Sequence, residues 1–254
     1  MRNIYFIGTA GSGKSSLVHA FKEWTELQGL DSVILNLDPG AETVPYVPEV
    51  DIRDWVRLDE VMVEYALGPN GAQIVCSDMI ALNAKEVAQT VDTFKSNYLL
   101  IDTPGQMELF AFRQSSTVIV DALGKEDSFL VFLSDPQLSR TPSGFVSSLM
   151  LCAVTHFRFL VPFINVLSKS DLLTDEELGR IMGWSRDPYS LYDSFSGEHG
   201  TPQTVLSIEL FKAMESVGVY RELTPVSSEV PSGMEDIYNA IQQTFEGGED
   251  LSPD

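Results

Sequence analysis

The chain has 254 residues, long for one average domain but common for an α/β domain with insertions, and enough to bury a two-sided core. Its 16 Lys and Arg stand against 37 Asp and Glu, a formal net charge of -21, and no local basic patch offsets it, which argues against direct binding to nucleic acid or to an anionic membrane. Cys76 and Cys152 fall in apolar helical patterns and read as core thiols, three scattered histidines lack metal-ligand spacing, and no apolar run approaches about 18 residues. With no signal-peptide layout at the N-terminus, a soluble, cytoplasmic protein is expected.

In chain order, the apolar run over 4–7 reads as a strand, 8–15 as a glycine-rich loop, and the pattern from 16 to about 28 as a helix broken by Gly29. A second buried strand over 32–37 ends on Asp38-Pro39-Gly40. Pro39, Pro45 and Pro48 keep the stretch up to 50 extended, on the rim where open α/β sheets bind ligands. Residues 59–67 read as a helix stopped at Gly68-Pro69-Asn70-Gly71, a segment that by itself is a tight turn before the next helix. That helix is expected over 72–95, with Ile80, Ala84, Val87, Ala88, Val91 and Phe94 as its apolar stripe.

A third strand over 97–101 feeds directly into Asp102-Thr103-Pro104-Gly105. Strands over 128–133 and 161–167, a helix over 141–157, helical segments from 174, 189 and 204, a short strand over 221–226 and a closing helix over 234–245 complete the pattern. Alternating strands and helices predict an α/β fold of three layers, a mostly parallel central sheet flanked by helices, with a helical insertion. One domain over 1–246 is expected. Its insertion at about 184–203 is rich in Ser, Asp, Pro and Gly and reads as a surface excursion; 247–254 reads as a frayed acidic tail.

Chemistry concentrates at the strand ends. Strand, Gly8-Thr9-Ala10-Gly11-Ser12-Gly13-Lys14-Ser15 and helix come in the order of a phosphate-binding loop. Gly11, Ser12, Gly13, Lys14, Ser15 and Ser16 would face the phosphates, because close-set backbone N–H groups and a helix N-terminus point at anions. Lys14 adds a point charge for the β- and γ-phosphates, and the Ser15 hydroxyl would ligate Mg²⁺. Asp102 would hold Mg²⁺ from the third strand, and the backbone of Gly105 would sense the terminal phosphate. In Ser168-Lys169-Ser170-Asp171 the Asp171 carboxylate can accept from both donors on guanine's edge while the Lys169 stem lies along the purine. Ser168 stands where GTPases usually carry Asn, and Ser227 lies where backbone contacts to the base would come from.

With these motifs in order, and with Gly68-Pro69-Asn70, Asn36-Leu37-Asp38-Pro39 and Asp102-Thr103-Pro104-Gly105-Gln106-Met107-Glu108, the chain resembles the GPN-loop GTPases, a family of archaeal and eukaryotic type, over nearly its whole length. The resemblance implies a P-loop GTPase turning GTP into GDP and phosphate with Mg²⁺, acting as a homodimer in which Gly68 and Pro69 shape a loop that brings Asn70 to the partner's nucleotide. Asp38, Gln106 and Glu108 are the candidates for orienting the attacking water, with Lys14 neutralising charge. The resemblance also implies a protein client, with RNA polymerase assembly known for eukaryotic members. Two other readings stand beside the switch: an assembly factor or chaperone for which hydrolysis is only a timer, and a P-loop small-molecule kinase, against which Lys169 and Asp171 speak.

Overall fold

Strand β1 (Arg2–Gly8) is buried at every position after its first, as a strand covered on both faces must be. It opens a computed structural model that describes residues 1–196, 202–216 and 222–247. The chain divides into two compact units, Met1–Val131 with Arg158–Pro162, and Phe132–Phe157 with Phe163–Asp254.

In the first unit β1 is followed by α1 (Lys14–Leu27), β2 (Ser32–Asn36), β3 (Val50–Asp51), α2 (Leu58–Glu64), α3 (Pro69–Val91), β4 (Tyr98–Asp102), α4 (Met107–Ala111) and α5 (Gln114–Leu123). Strand β5 (Ser128–Ser134) starts in this unit and ends in the second. Parallel ladders join β1 to β4, β4 to β2 and β2 to β3. Their register sets Asp102 beside both Phe6 and Asn36, so the carboxyl ends of three neighbouring strands finish on one edge. The loops that follow those ends carry the phosphate motifs.

The second unit continues with α6 (Pro136–Ser139), α7 (Pro142–Phe159), β6 (Phe163–Leu167), α8 (Asp175–Arg186), α9 (Pro188–Ser196), α10 (Pro202–Ser216), β7 (Thr224–Pro225) and α11 (Met234–Phe245). Thr174 caps α8 in a reciprocal box with Glu177, two orphan amides being satisfied at once. Strands β6 and β7 pair in parallel, Val166 opposite Thr224. The strand order is β3-β2-β4-β1 in the first unit and β5-β6-β7 in the second, which holds the end of β5; in each, helices alternate with the strands, which is the fold class expected from the alternation.

Three departures from the sequence reading have physical reasons. Helix α3 starts at Pro69, three residues earlier than expected, because proline's fixed φ suits the first helical position and its missing N–H is no loss there. Gly68-Pro69-Asn70 is therefore the cap and first turn of a helix and not a free-standing turn. Helices α4 and α5 lie where the sequence reading assigned nothing; each spans ten residues or fewer, too few for a clear period.

The stretch at 184–203 differs most. Trp184, Leu191 and Phe195 are buried in a cluster with Phe145, Phe211 and Leu223, so 184–196 belongs to the core of its unit and is no surface excursion. Residues 197–201 lie outside the described residues, as do Arg221 of the expected last strand and 248–254 of the expected tail. Among the described residues no helix is long and apolar enough to cross a membrane.

Trp184 is the test of that core. It is 2% exposed, meets Phe145 edge-on at 5.8 Å, and donates from Nε1 to Ser194 Oγ at 2.7 Å. Trp184→Ala removes a large buried ring and should cost about 3–5 kcal/mol of stability, read by urea unfolding of the second unit. A change below about 1 kcal/mol, the scale of a surface substitution, would contradict the burial.

Candidate active site

The phosphate motifs come together within the first unit. Gly11 and Gly13 take φ of 75° and 92°, left-handed values open to glycine at little cost, and Gly13 caps α1. The loop bends back on itself through Ser12 N–H to Thr9 O at 3.1 Å. Ser12 is buried, Ser15 half-buried and Ser16 exposed. Lys14 is 5% exposed, and its ammonium donates to Gly8 O and Thr9 O at 3.0 Å and to Gly105 O at 3.4 Å. Burial lowers its pKa, while the charges of Asp102 and Asp38 oppose the shift. The lysine thus ties the loop after β1 to the loop after β4.

Asp38 makes the second tie. Its Oδ1 accepts from Gly40 N–H and its Oδ2 from Gly105 N–H, both at 2.9 Å. Asn36 holds it in place, accepting from Asp38 N–H at 3.0 Å and donating to Asp51 Oδ1 at 3.0 Å. Thr103 closes the third contact between strand ends, donating to Phe6 O at 2.7 Å.

Asp102 is 2% exposed. The Tyr46 hydroxyl donates to its Oδ2 at 2.6 Å, whereas Oδ1 is buried with no hydrogen-bond partner among the described residues. Burial raises the Asp102 pKa, opposed by the Ser15 and Tyr46 hydroxyls and the Lys14 charge; the Asp38 charge pushes it higher. A buried carboxylate oxygen without a donor, beside a serine hydroxyl, is hard-oxygen chemistry that fits Mg²⁺. No group of three or more His, Cys, Asp or Glu suited to a metal occurs among the described residues, and Mg²⁺ bound to phosphates needs only one or two carboxylates.

A cavity of about 130 Å³ adjoins the loop, lined by Ala10, Asp38, Gln73, Ser77, Gly105 and Gln106 among others. Two of the three expected water-orienting residues, Asp38 and Gln106, face it together. Glu108, in the first turn of α4, is exposed and does not line it. Gly68, Pro69 and Asn70 are exposed at the head of α3, and Asn70 does not line the chain's own cavity.

The base motif lies in the second unit. Lys169 takes a left-handed φ of 49°, and Ser170 N–H donates to Val226 O at 3.0 Å. Asp171 is exposed and accepts from the Ser227 hydroxyl, so the two segments expected to meet the base are bonded to each other. Ser168, the departure from the usual Asn, is buried and donates from both N–H and Oγ to Ser134 O at 3.1 Å. It braces the ends of β5 and β6.

Sequence reasoning missed Tyr46, Asn36 as a brace, and Gln73. Tyr46 carried a signal, a bulky aromatic between Pro45 and Pro48 in a loop on the ligand-binding rim. Gln73 carried one too, as an amide one turn beyond Asn70 on a face that otherwise packs inward.

The glycine-rich loop between β1 and α1, with Asp102 on the neighbouring strand, defines a P-loop nucleotide-binding protein. A family model described as conserved hypothetical ATP binding protein matches residues 6–247. GPN-loop GTPase 3 of Eremothecium gossypii is 30% identical over 257 residues, covering 98% of this chain and 94% of that protein. GPN-loop GTPase 1 of Dictyostelium discoideum is 29% identical over 226 residues, covering 85% of this chain but 56% of that longer protein. The crystal structure of PAB0955, a GTPase in apo form from Pyrococcus abyssi, superposes with a TM-score of 0.87 at 28% identity, covering 96% of this chain and 98% of that one. The chain belongs to the GPN-loop GTPase family.

Asp102 supplies a test of how the site is built. A carboxyl whose folded-state pKa is raised contributes stability below its unfolded value of about 3.9, and that contribution is lost as pH rises through the raised value. Without nucleotide, Asp102→Asn should therefore melt higher than the parent chain at pH 7, with the gain shrinking toward pH 4. Thermal melts at the two pH values check this, and an equal or lower melting temperature at pH 7 would contradict it.

Proposed function

We propose that this GTPase works as a homodimer in which each chain hydrolyses GTP with the help of the partner's Asn70, and that the dimer rearranges between its GTP and GDP states. The carrying observation is the head of α3. Asn70 is exposed there and does not line the chain's own cavity, while Gln73 and Ser77 on the following turns line it. Exposed apolar residues lie near it in the chain, Val63 in the last turn of α2, Tyr65 at that helix's C-terminal cap and Ile74 on the second turn of α3, at 84%, 50% and 43% exposure. Apolar side chains grouped around a polar functional turn suit a protein partner better than water.

On this reading Gly11, Ser12, Gly13, Lys14, Ser15 and Ser16 hold the phosphates, and Lys14 exchanges its three carbonyl partners for phosphate oxygens. Gly105 N–H exchanges Asp38 for the terminal phosphate. Ser15 and Asp102 would hold Mg²⁺, which supplies charge neutralisation at the β- and γ-phosphates. A water attacks the γ-phosphorus in line, the bond to the β-phosphate oxygen breaks, and Asp38, freed from Gly105, takes the water's proton. Gln106 helps to orient that water, and Glu108 acts only if α4 shifts. Lys169, Asp171 and Ser227 select guanine, in keeping with the relatives' GTPase names and against the adenine in the family model's description.

The output we propose is assembly of a protein complex in the cytoplasm, through a protein client of the kind represented by an RNA polymerase assembly intermediate. The chain's charge of -21 supports a protein partner over nucleic acid or an anionic membrane. In this scheme hydrolysis times release of the client.

Complementation tests the shared site. Asn70→Ala and Lys14→Ala chains should each be inactive alone. Mixed, the chain that keeps Lys14 receives an intact Asn70 from the other, so turnover should reappear. Mixed dimers demonstrated by mass with no gain in turnover would overturn the arrangement.

A further inference from the structure

Gln73 is not explained by packing. Its amide oxygen is buried with no hydrogen-bond partner among the described residues, although the residue sits on the second turn of a helix bounded by exposed solvent-facing positions. An unsatisfied buried amide oxygen is a net cost to stability, one that a leucine or methionine at this position would not carry. Residues that cost stability without a packing return are where function is expected.

The cavity that Gln73 lines gives the function its direction. Ala10 of the phosphate loop and Gly105 of the loop after β4 border it, so it lies on the terminal-phosphate side of the site. Asp38 and Gln106 line the same space. Its volume of about 130 Å³ is large enough to hold a water. A water there needs two to four polar partners, and an acceptor amide oxygen, a carboxylate and a second amide provide them. Pro104, Ile80 and Leu109 add apolar lining, which offers a water no further polar partners.

Resting on the GTPase reading above, we propose that Gln73 is a water-positioning residue of the chain's own active site. Its amide oxygen accepts one hydrogen of the attacking water, and the Asp38 carboxylate accepts the other. As the water oxygen bonds to the γ-phosphorus, the bond to the β-phosphate oxygen breaks with its electron pair left on GDP. The proton taken by Asp38 passes to the released phosphate, and Gln73 forms and breaks no covalent bond. Because Gln73 and Asn70 stand three residues apart on α3, one rigid turn serves both sites of the proposed dimer. Asn70 is offered to the partner, and Gln73 reports whether the chain's own water is in place.

The experiment uses the full chain with Mg²⁺. Gln73→Met keeps the length and volume of the side chain and removes the acceptor. Steady-state turnover of GTP should fall about 10- to 100-fold in kcat, within the range by which a positioned acid–base or orienting group acts. The Kd for GDP and for a non-hydrolysable GTP analogue should stay within about twofold, since nothing that touches the phosphates directly has changed. The melting temperature without nucleotide should be equal or higher, because a buried unsatisfied oxygen has been removed. Capture of GDP with aluminium fluoride, which mimics the transferring phosphoryl group with its water, should weaken in parallel with kcat. If Gln73→Met melts below the parent chain, Gln73→Leu carries the same measurements.

A kcat within about twofold of the parent value, with aluminium fluoride capture intact, would overturn the role of Gln73 while leaving the GTPase reading standing. A parent chain with no GTP turnover at any concentration would overturn that reading, and the role of Gln73 with it.

Discussion

A buried ammonium group is the constraint from which the first unit's architecture follows. Lys14 is carried into a place with almost no solvent, where its charge is tolerated because three backbone carbonyls accept from it and two carboxylates lie nearby. Those acceptors come from two loops, after β1 and after β4. They meet because β1, β4 and β2 run in parallel with their carboxyl ends in register. Parallel pairing requires crossover helices, and the crossovers put α1 directly behind the loop and α3 beside the cavity. The fold is in this sense the device that makes one buried lysine affordable.

The same groups that satisfy the protein internally are those a nucleotide would use. Lys14 and the Gly105 amide already have partners, from carbonyls and from Asp38. Binding a terminal phosphate is then an exchange of partners and not the filling of a bare charge. In the mechanism we propose, release of Asp38 from Gly105 would free a carboxylate at the moment a proton acceptor is required. On that proposal, coupling between phosphate contact and the loops after β2 and β4 would follow from the exchange, since Asp38 is bonded to both.

The sequence carried the fold well where a residue's type and its period agreed. Buried runs marked β1, β4 and β5, and Met234 to Phe245 is found as expected. It failed where a short element takes its shape from neighbours. Helices α4 and α5 are held by packing against α3, and the two-residue β3 exists only because β2 lies beside it. Trp184, Leu191 and Phe195 were misread because Ser, Asp and Gly around them resemble loop composition, while the aromatic and aliphatic spacing that buries them is short. At the site, Gly11, Gly13, Lys14, Asp38 and Asp102 were legible because backbone geometry and charge dictate their types. Tyr46 and Gln73 were not, since only the folded chain brings Tyr46 to Asp102 and Gln73 to a cavity lined by residues far away in sequence.

The central claim is that the site on one chain is incomplete without a second chain. Turnover of GTP per chain, measured over a dilution series alongside the molecular mass at each concentration, tests it most directly. Turnover per chain should fall in step with loss of the dimer. Constant turnover per chain through dilutions at which the mass is that of the monomer would contradict it.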